Sequence, residues 1–252
     1  MKLILLIASF CIGTVLSDNV ASLGNYPYHA SLWIHDEDYN RLCDGALIAQ
    51  GWILTAAHCI YNATSIYVRL GTVNLMEGAE WYTYIDDQSH FYVDENFNSA
   101  IPYVNDIGLI HAVEMSASVI DGTYIRPIDI LESTTTNLDY LQSTVTGFGP
   151  SRTSPETVLR YVTMPIMPNT WCQRQHGATR VTGGMMCTDT LNDESPCLED
   201  SGAPLTATVA GQNVIVGIGS TWTETCTYSH HGIFTRVAPH ASWIRRIIAS
   251  AS

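Results

Sequence analysis

The amino-acid sequence predicts an all-β protein, built as an antiparallel barrel or sandwich and followed by one C-terminal helix. Three observations support this prediction. Short runs rich in β-branched and aromatic residues recur along the chain, clusters of Gly, Asn, Asp, Ser or Pro separate many of them, and helical periodicity is clear only at the end. Short strands between turn residues are typical of sandwiches and barrels.

Eight runs have the composition and length of ordinary strands. They are residues 28–34, 52–55, 66–70, 81–85, 107–111, 158–164, 205–209 and 214–218. We find no repeat of fixed period and no low-complexity linker between them. The sequence therefore gives no compositional reason to divide the chain into unrelated domains.

The segment that begins at Pro239 has the periodicity of an amphipathic helix. Its apolar residues share one face, namely Trp243, Ile244, Ile247 and Ile248. Arg245 and Arg246 occupy the other face, close to the C-terminus, where positive charge complements the helix dipole. We expect the apolar face to pack against the barrel.

The first residues have the pattern of a secretory signal peptide. Lys2 precedes an apolar run over residues 3–16, and Ser17 is a small residue suited to cleavage. The run is shorter than the roughly 20 residues that a membrane-spanning helix needs. We expect residues 1–17 to be removed, residues 18–252 to form the mature domain, and the protein to be secreted.

The composition excludes several classes of protein. Of 252 residues, 46% are hydrophobic and only 14% are charged, which does not fit a disordered chain, a coiled coil or a collagen-like fibre. The net charge of −13 comes from 24 acidic and 11 basic residues, without a basic cluster. This balance argues against nucleic acid and against an anionic membrane as partners.

The cysteines predict disulfides rather than a metal site. Six cysteines follow the predicted signal peptide: Cys43, Cys59, Cys172, Cys187, Cys197 and Cys226. An even number in an exported chain is typical of a disulfide framework, although six cysteines allow about 15 connectivities. No CxxC pair is present, so we predict neither structural zinc nor another metal or cofactor. Asn62 begins an Asn-Ala-Thr sequon for glycosylation.

Three short stretches supply the side chains of a nucleophilic catalyst. His58 follows the run Trp-Ile-Leu-Thr-Ala-Ala, Asp106 lies in Asn-Asp-Ile-Gly-Leu-Ile, and Ser201 lies in Asp-Ser-Gly-Ala-Pro. A serine hydroxyl needs a base to accept its proton, and the base needs a carboxylate to hold its tautomer. We therefore interpret His58, Asp106 and Ser201 as candidate catalytic residues.

The order and spacing of these stretches resemble the chymotrypsin-like (trypsin family) serine proteases, and the resemblance covers nearly the whole mature chain. Further matching blocks are residues 25–32, 43–48, 146–149, 185–188 and 232–237. The resemblance implies two six-stranded antiparallel β-barrels packed perpendicular to each other, with a boundary near residues 120–130 and the triad between them. It also implies the disulfides Cys43–Cys59, Cys172–Cys187 and Cys197–Cys226.

The chain departs from the family at the activation terminus. Active members begin with a newly cut Ile-Val-Gly-Gly, whose ammonium pairs with the aspartate before the serine, here Asp200. The matching stretch, residues 15–18, spans the predicted signal cleavage site. Since an unpaired buried charge is costly, Asp200 needs another partner. We predict an Arg41–Asp200 pair.

A second departure concerns the oxyanion hole, which the resemblance assigns to the backbone N–H groups of Glu199 and Ser201. The family has glycine where this chain has Glu199. A glutamate keeps the N–H group, but positive φ is uncommon for residues other than glycine. We therefore expect low activity.

The third departure concerns the substrate pocket. Ser195 replaces the aspartate of a trypsin-like pocket, whereas Gly232 keeps one wall open. The other wall of the pocket can be aligned in two ways. In one alignment, Ser220 contacts the triad aspartate and Trp222 stands at the position of a wall glycine. In the other, Thr221 contacts the aspartate and Thr223 narrows the entrance. Both predict a preference for small or slim apolar residues before the scissile bond.

Two functions follow from the sequence. The first is a secreted, monomeric serine endopeptidase of low activity that acts on proteins or peptides. The alternative is a catalytically silent homologue that keeps the fold to bind a protein or an inhibitor. The three candidate catalytic residues favour the first function, whereas Glu199 and the missing activation terminus favour the second.

Overall fold

The computed structural model describes residues 19–37, 39–100, 103–149, 157–177, 179–189, 201–221 and 232–251. These residues form two antiparallel sheets and a C-terminal helix, so the all-β prediction is confirmed. One sheet uses strands from residues 29–111 and the other uses strands from residues 142–236. The predicted boundary near residues 120–130 lies in the segment that connects the two sheets.

The first sheet has seven strands rather than six. They are β1 (His29–His35), β2 (Asn40–Ala49), β3 (Trp52–Thr55), β4 (Ser65–Leu70), β5 (Trp81–Ile85), β6 (Phe91–Val93) and β7 (Gly108–His111). The strand order is β5-β4-β1-β2-β3-β7-β6. The two end strands, β5 and β6, are separated in the chain only by residues 86–90, and β6, which is three residues long, pairs with β7.

Alternation of side chains explains how this sheet forms a core. In β1, Leu32 and Ile34 are fully buried while Trp33, between them, is 40% exposed. Successive side chains of a strand point to opposite faces, so the apolar set collects on the inner face. Ile53 and Leu54 of β3 are also fully buried and belong to the same core cluster.

The second sheet closes into a six-stranded barrel, in agreement with the resemblance. Its strands are β8 (Gln142–Gly147), β9 (Arg160–Met167), β10 (Met185–Thr188), β11 (Pro204–Val209), β12 (Gln212–Thr221) and β13 (Ile233–Arg236), in the order β10-β13-β12-β11-β8-β9. Closure pairs every strand on both sides and removes the free edges that favour aggregation. The barrel encloses a separate apolar cluster that includes Met164, Leu205 and Phe234.

Among the residues that the structure describes, three α-helices accompany the sheets: α1 (Ala57–Ile60), α2 (Asn169–His176) and α3 (Ala241–Ser250). The sequence predicted only α3. Trp243 and Ile244 of α3 are buried in the core cluster of the first sheet, although α3 follows the second barrel in the chain. Arg245 and Arg246 are exposed on the opposite face, as predicted.

Two of the three implied disulfides are present in the structure. Cys43–Cys59 joins β2 to α1, and Cys172–Cys187 joins α2 to β10. Cys197, Cys226 and the predicted signal peptide, residues 1–17, lie outside the described residues. Within the described ranges, no helix has the length and apolar character needed to cross a membrane.

Candidate active site

His58 lies in the single turn of α1, directly after strand β3. The chain leaves β3 at Thr55, and the helix begins two residues later. The Cys43–Cys59 disulfide fixes the neighbouring residue to β2. His58 is thereby held at the end of the first sheet, with its side chain 16% exposed.

Asp106 is fully buried and contacts His58 through both carboxylate oxygens. Its Oδ2 lies 2.7 Å from His58 Nδ1, and its Oδ1 accepts the backbone N–H of His58 at 2.8 Å. Asn105, the preceding residue, has φ of 53°, a left-handed conformation that Asn tolerates better than most residues. This turn directs the carboxylate toward the histidine.

Ser220, near the end of β12, supplies a third hydrogen bond to Asp106. Its hydroxyl donates to Asp106 Oδ2 at 2.6 Å, and its side chain is buried. The sequence had left open whether Ser220 or Thr221 faces this aspartate; the observed contact favours the alignment with Ser220. Asp106 Oδ2 also faces His58 Nδ1. Because a carboxylate oxygen accepts hydrogen bonds, we assign the proton to Nδ1, which leaves Nε2 as the basic nitrogen.

Ser201 lies in a tight turn before β11 and is 6% exposed. Gly202, the next residue, has φ of 81° and donates its N–H to the carbonyl of Gly219 at 2.9 Å. A Cβ on Gly202 would lie 2.2 Å from the carbonyl oxygen of Asp44, so only glycine fits. The turn therefore places Ser201 beside the part of β12 that carries Ser220.

Tyr103 is a residue of this site that sequence reasoning missed. Its ring stacks on the imidazole of His58, with centroids 4.9 Å apart and planes inclined by 15°. Phe97 packs against Tyr103, with centroids 6.0 Å apart. Burial raises the pKa of the Tyr103 phenol, and the nearby Asp106 carboxylate raises it further. The available signal was an aromatic residue close before the Asp106 motif.

Arg41 contacts the backbone that carries His58. Its guanidinium forms an ion pair with Asp36 and donates to the carbonyl oxygen of Cys59 at 3.0 Å. A longer contact of 3.4 Å reaches the carbonyl oxygen of His58. Asp200 lies outside the described residues, so the Arg41–Asp200 pair stays a prediction.

A buried His29–Asp44 pair lies behind the Ser201 turn and was also missed. His29 Nε2 is 2.9 Å from Asp44 Oδ1, and both side chains are sealed from solvent. Burial raises the pKa of Asp44, while the neighbouring His29 opposes this shift. The available signal was an aspartate inside the apolar run Leu-Cys-Asp-Gly-Ala-Leu, where a charged residue needs a partner.

The other predicted pocket residues are only partly described. Gly232 is buried next to β13, and its carbonyl accepts the N–H of Thr188 at 3.3 Å. Ser195, Glu199, Trp222 and Thr223 lie outside the described residues. In the described part of the chain, no cluster of three or more His, Cys, Asp or Glu side chains is arranged to hold a metal ion.

Comparisons with known proteins identify the family of this chain. A family model described as Trypsin matches residues 16–244. "Collagenase" from Hypoderma lineatum is 29% identical over 238 residues, which cover 93% of this chain and 87% of the relative. "Trypsin Blo t 3" from Blomia tropicalis is 31% identical over 249 residues, which cover 94% of this chain and 87% of the relative.

The fold is also similar to that of a solved structure. A structure described as HL collagenase matches with a TM-score of 0.82 and 28% sequence identity, covering 93% of this chain and 99% of that one. Both sheets and the residues around Asp106 lie within the part that the family model matches. The chain therefore belongs to the trypsin family of chymotrypsin-like serine proteases.

Proposed function

We propose that the protein is a serine endopeptidase in which Ser201 is the nucleophile, His58 the general acid and base, and Asp106 the residue that orients His58. The observation that carries this proposal is the hydrogen-bonded chain from Ser220 through Asp106 to His58 Nδ1. It holds the imidazole in the tautomer whose Nε2 can accept a proton.

The reaction follows from these roles. Ser201 Oγ attacks the carbonyl carbon of the peptide bond while its proton passes to His58 Nε2. His58 then gives this proton to the leaving amine, and an ester on Ser201 remains. A water molecule attacks the ester, His58 accepts its proton, and the return of the proton to Ser201 releases the acid. Buried Asp106 stabilises the imidazolium in both steps.

Low activity is part of the proposal. Binding of the oxyanion is assigned to the backbone N–H groups of Glu199 and Ser201. Loss of one such hydrogen-bond donor lowers kcat by about 10²–10³-fold. The N–H of Glu199 points at the oxyanion only in a backbone conformation that glycine adopts more readily. The carboxylate of Glu199 also opposes negative charge on the oxyanion unless it points away.

The proposed specificity is for small or slim apolar residues before the scissile bond. Ser195 leaves the pocket without the aspartate that binds a basic side chain. The contact between Ser220 and Asp106 supports the alignment in which Trp222 replaces a wall glycine. Both changes disfavour an arginine or lysine substrate.

The same alignment supports the second candidate function, a catalytically silent homologue. A tryptophan in place of a wall glycine blocks the pocket instead of narrowing it, and the protein would then bind a partner protein or an inhibitor without cleaving it. The two candidates differ in whether Ser201 reacts.

A fluorophosphonate probe separates these candidates, because it modifies a serine only when nucleophile, base and oxyanion hole act together. We expect wild-type protein to be labelled at Ser201 and Ser201→Ala to stay unlabelled; an unlabelled wild type supports the silent homologue. Specificity is then measured as the rate of cleavage of peptide substrates with Ala, Leu or Arg before the scissile bond. Collagen is a further test substrate, because one relative is named a collagenase. Faster cleavage after Arg would contradict the proposed pocket.

Secretion is proposed on independent grounds. Residues 1–17 have the signal-peptide pattern, and Asn62 of the sequon is exposed at the end of α1. An exposed asparagine is accessible to glycosylation during export. We propose a monomeric extracellular protein whose partners are peptide or protein substrates or inhibitors. Sequencing the mature N-terminus tests the cleavage after Ser17.

A further inference from the structure

The backbone of Asp44 packs closely against the turn that carries Ser201. The N–H of Asp44 donates to the carbonyl oxygen of Ser201 at 2.8 Å. The carbonyl of Asp44 accepts the hydroxyl of Thr55 at 2.7 Å and occupies the space that a Cβ on Gly202 would need. A shift of Asp44 would therefore move the carbonyl of Ser201.

The side chains of this region join the two sheets behind the turn. His29, in β1, faces Asp44 through Nε2 and faces the hydroxyl of Thr146, in β8, through Nδ1, each at 2.9 Å. Asp44 Oδ2 accepts the N–H of Phe148 at 3.3 Å. The pair is thus held by groups from both halves of the chain.

Burial makes this arrangement sensitive to the loss of either partner. The exposed fraction is 4% for His29 and zero for Asp44. A buried carboxylate needs a partner, and removal of one member of a buried pair is strongly destabilising. Loss of either side chain would therefore leave the other buried without this partner.

We propose that His29 and Asp44 are positioning residues for Ser201. This buried pair holds the turn that carries Ser201 in place, and it does so without the new N-terminus that cleavage creates in active members of the family. The effect on catalysis rests on the proposed function, whereas the bracing of the turn does not. Neither side chain touches substrate, since both are sealed from solvent. They act through the Asp44 backbone.

Asp44→Asn tests the pair because it keeps the shape of the side chain and removes its charge. The free energy of a hydrogen bond to a charged group converts to a factor of about ten or more in a rate. We therefore expect fluorophosphonate labelling of Ser201 to be slower by about that factor in Asp44→Asn. With a peptide substrate, kcat falls while KM changes little. Thr146→Val, a milder change, lowers the rate less and in the same direction.

The matched control is Asp94→Asn. Asp94 Oδ2 lies 2.9 Å from His240 Nδ1, and both side chains are buried, so the same substitution breaks an equivalent pair away from the Ser201 turn. The backbone N–H of Asp94 donates to the carbonyl oxygen of Ile107, next to Asp106, so we expect Asp94→Asn to lower the melting temperature and to slow labelling much less than Asp44→Asn does. The proposal is overturned if Asp44→Asn reacts at the wild-type rate, or if Asp94→Asn slows labelling as much.

Hydrogen–deuterium exchange tests the brace without activity. The N–H groups of Asp44 and Gly202 donate to carbonyls of the turn and of β12, so both should exchange faster in Asp44→Asn and at the wild-type rate in Asp94→Asn. Unchanged exchange in Asp44→Asn overturns the proposal. If wild-type protein is not labelled at all, the enzymatic function fails and exchange alone decides whether the pair braces the turn.

Discussion

Tyr103 covers one face of the candidate base. Its ring lies nearly parallel to the imidazole of His58, and Phe97 packs behind it. Tyr61 extends the same cluster, with its ring centroid 5.5 Å from that of Phe97. An aromatic stack of this kind limits rotation of the imidazole and excludes water from one side of it.

We predict that Tyr103→Ala lowers the fluorophosphonate labelling rate of Ser201 by about 2- to 10-fold, because an aromatic pair contributes about 0.5–1.5 kcal/mol beyond its buried area. Tyr103→Phe keeps the ring and should react like the wild type. Labelling rates of the two variants check this. An equal loss in both would assign the effect to the hydroxyl instead of the stack.

The sequence could nominate His58, Asp106 and Ser201 because each lies in a local motif whose residue type already suggests its chemistry. Tyr103 and Asp44 carry only weak local signals, an aromatic residue before the Asp106 motif and an aspartate inside an apolar run, and neither signal indicates a role. Their importance comes from neighbours that are distant in the chain, such as His29 for Asp44 and the imidazole for Tyr103. Contacts of this kind depend on tertiary packing, which one sequence does not reveal.

One side chain orders a turn in the segment between the two sheets. Asp121 Oδ1 accepts the backbone N–H groups of Thr123, Tyr124 and Ile125, at 2.6, 2.7 and 3.1 Å. These hydrogen bonds, above all that of Ile125, lower the pKa of the Asp121 carboxyl. The charged form therefore stabilises the turn that leads from the first sheet to the second.

Asp121→Ala should lower the melting temperature at neutral pH. Since the folded-state pKa lies below the unfolded value of about 3.9, the stabilisation is present above that value and is lost as the pH falls through the folded pKa. Melting curves of wild type and variant at pH 7 and pH 3 check this, and the difference should shrink in acid. A difference independent of pH would contradict the role of the charge.

Strand prediction succeeded where a strand has a regular pattern. The runs at 52–55 and 81–85 match β3 and β5 residue for residue. The long strand β2 was missed because Arg41, Asp44 and Gly45 interrupt its apolar pattern. In the structure each has a specific reason: Arg41 pairs with Asp36, Asp44 pairs with His29, and a Cβ on Gly45 would lie 2.9 Å from Ile53 Cγ2. The helix α2 was missed because it is mostly polar.

Both halves of the molecule contribute to the core of the first sheet. The apolar cluster of the first sheet includes Ile215 and Ile218 from β12, together with Trp243 and Ile244 from α3. Elements of the second half thus complete the core of the first. Two domains with separate cores can unfold independently, whereas a shared core couples them.

We predict that Ile244→Ala, at a site 1% exposed, destabilises the protein by about 2–5 kcal/mol and that a single calorimetric transition moves to lower temperature. Ile247→Ala, at a partly buried site of the same helix, should cost less. Two separate transitions, with only one of them shifted, would show that the halves unfold independently.

The position of α3 also bears on synthesis at the ribosome. Domains of a nascent chain generally fold in order from the N-terminus. Here the apolar surface that Trp243 covers stays open until α3 has been translated and has left the ribosomal exit tunnel. A chain stalled after the second barrel would expose that surface to chaperones, even though every strand of the first sheet had already emerged.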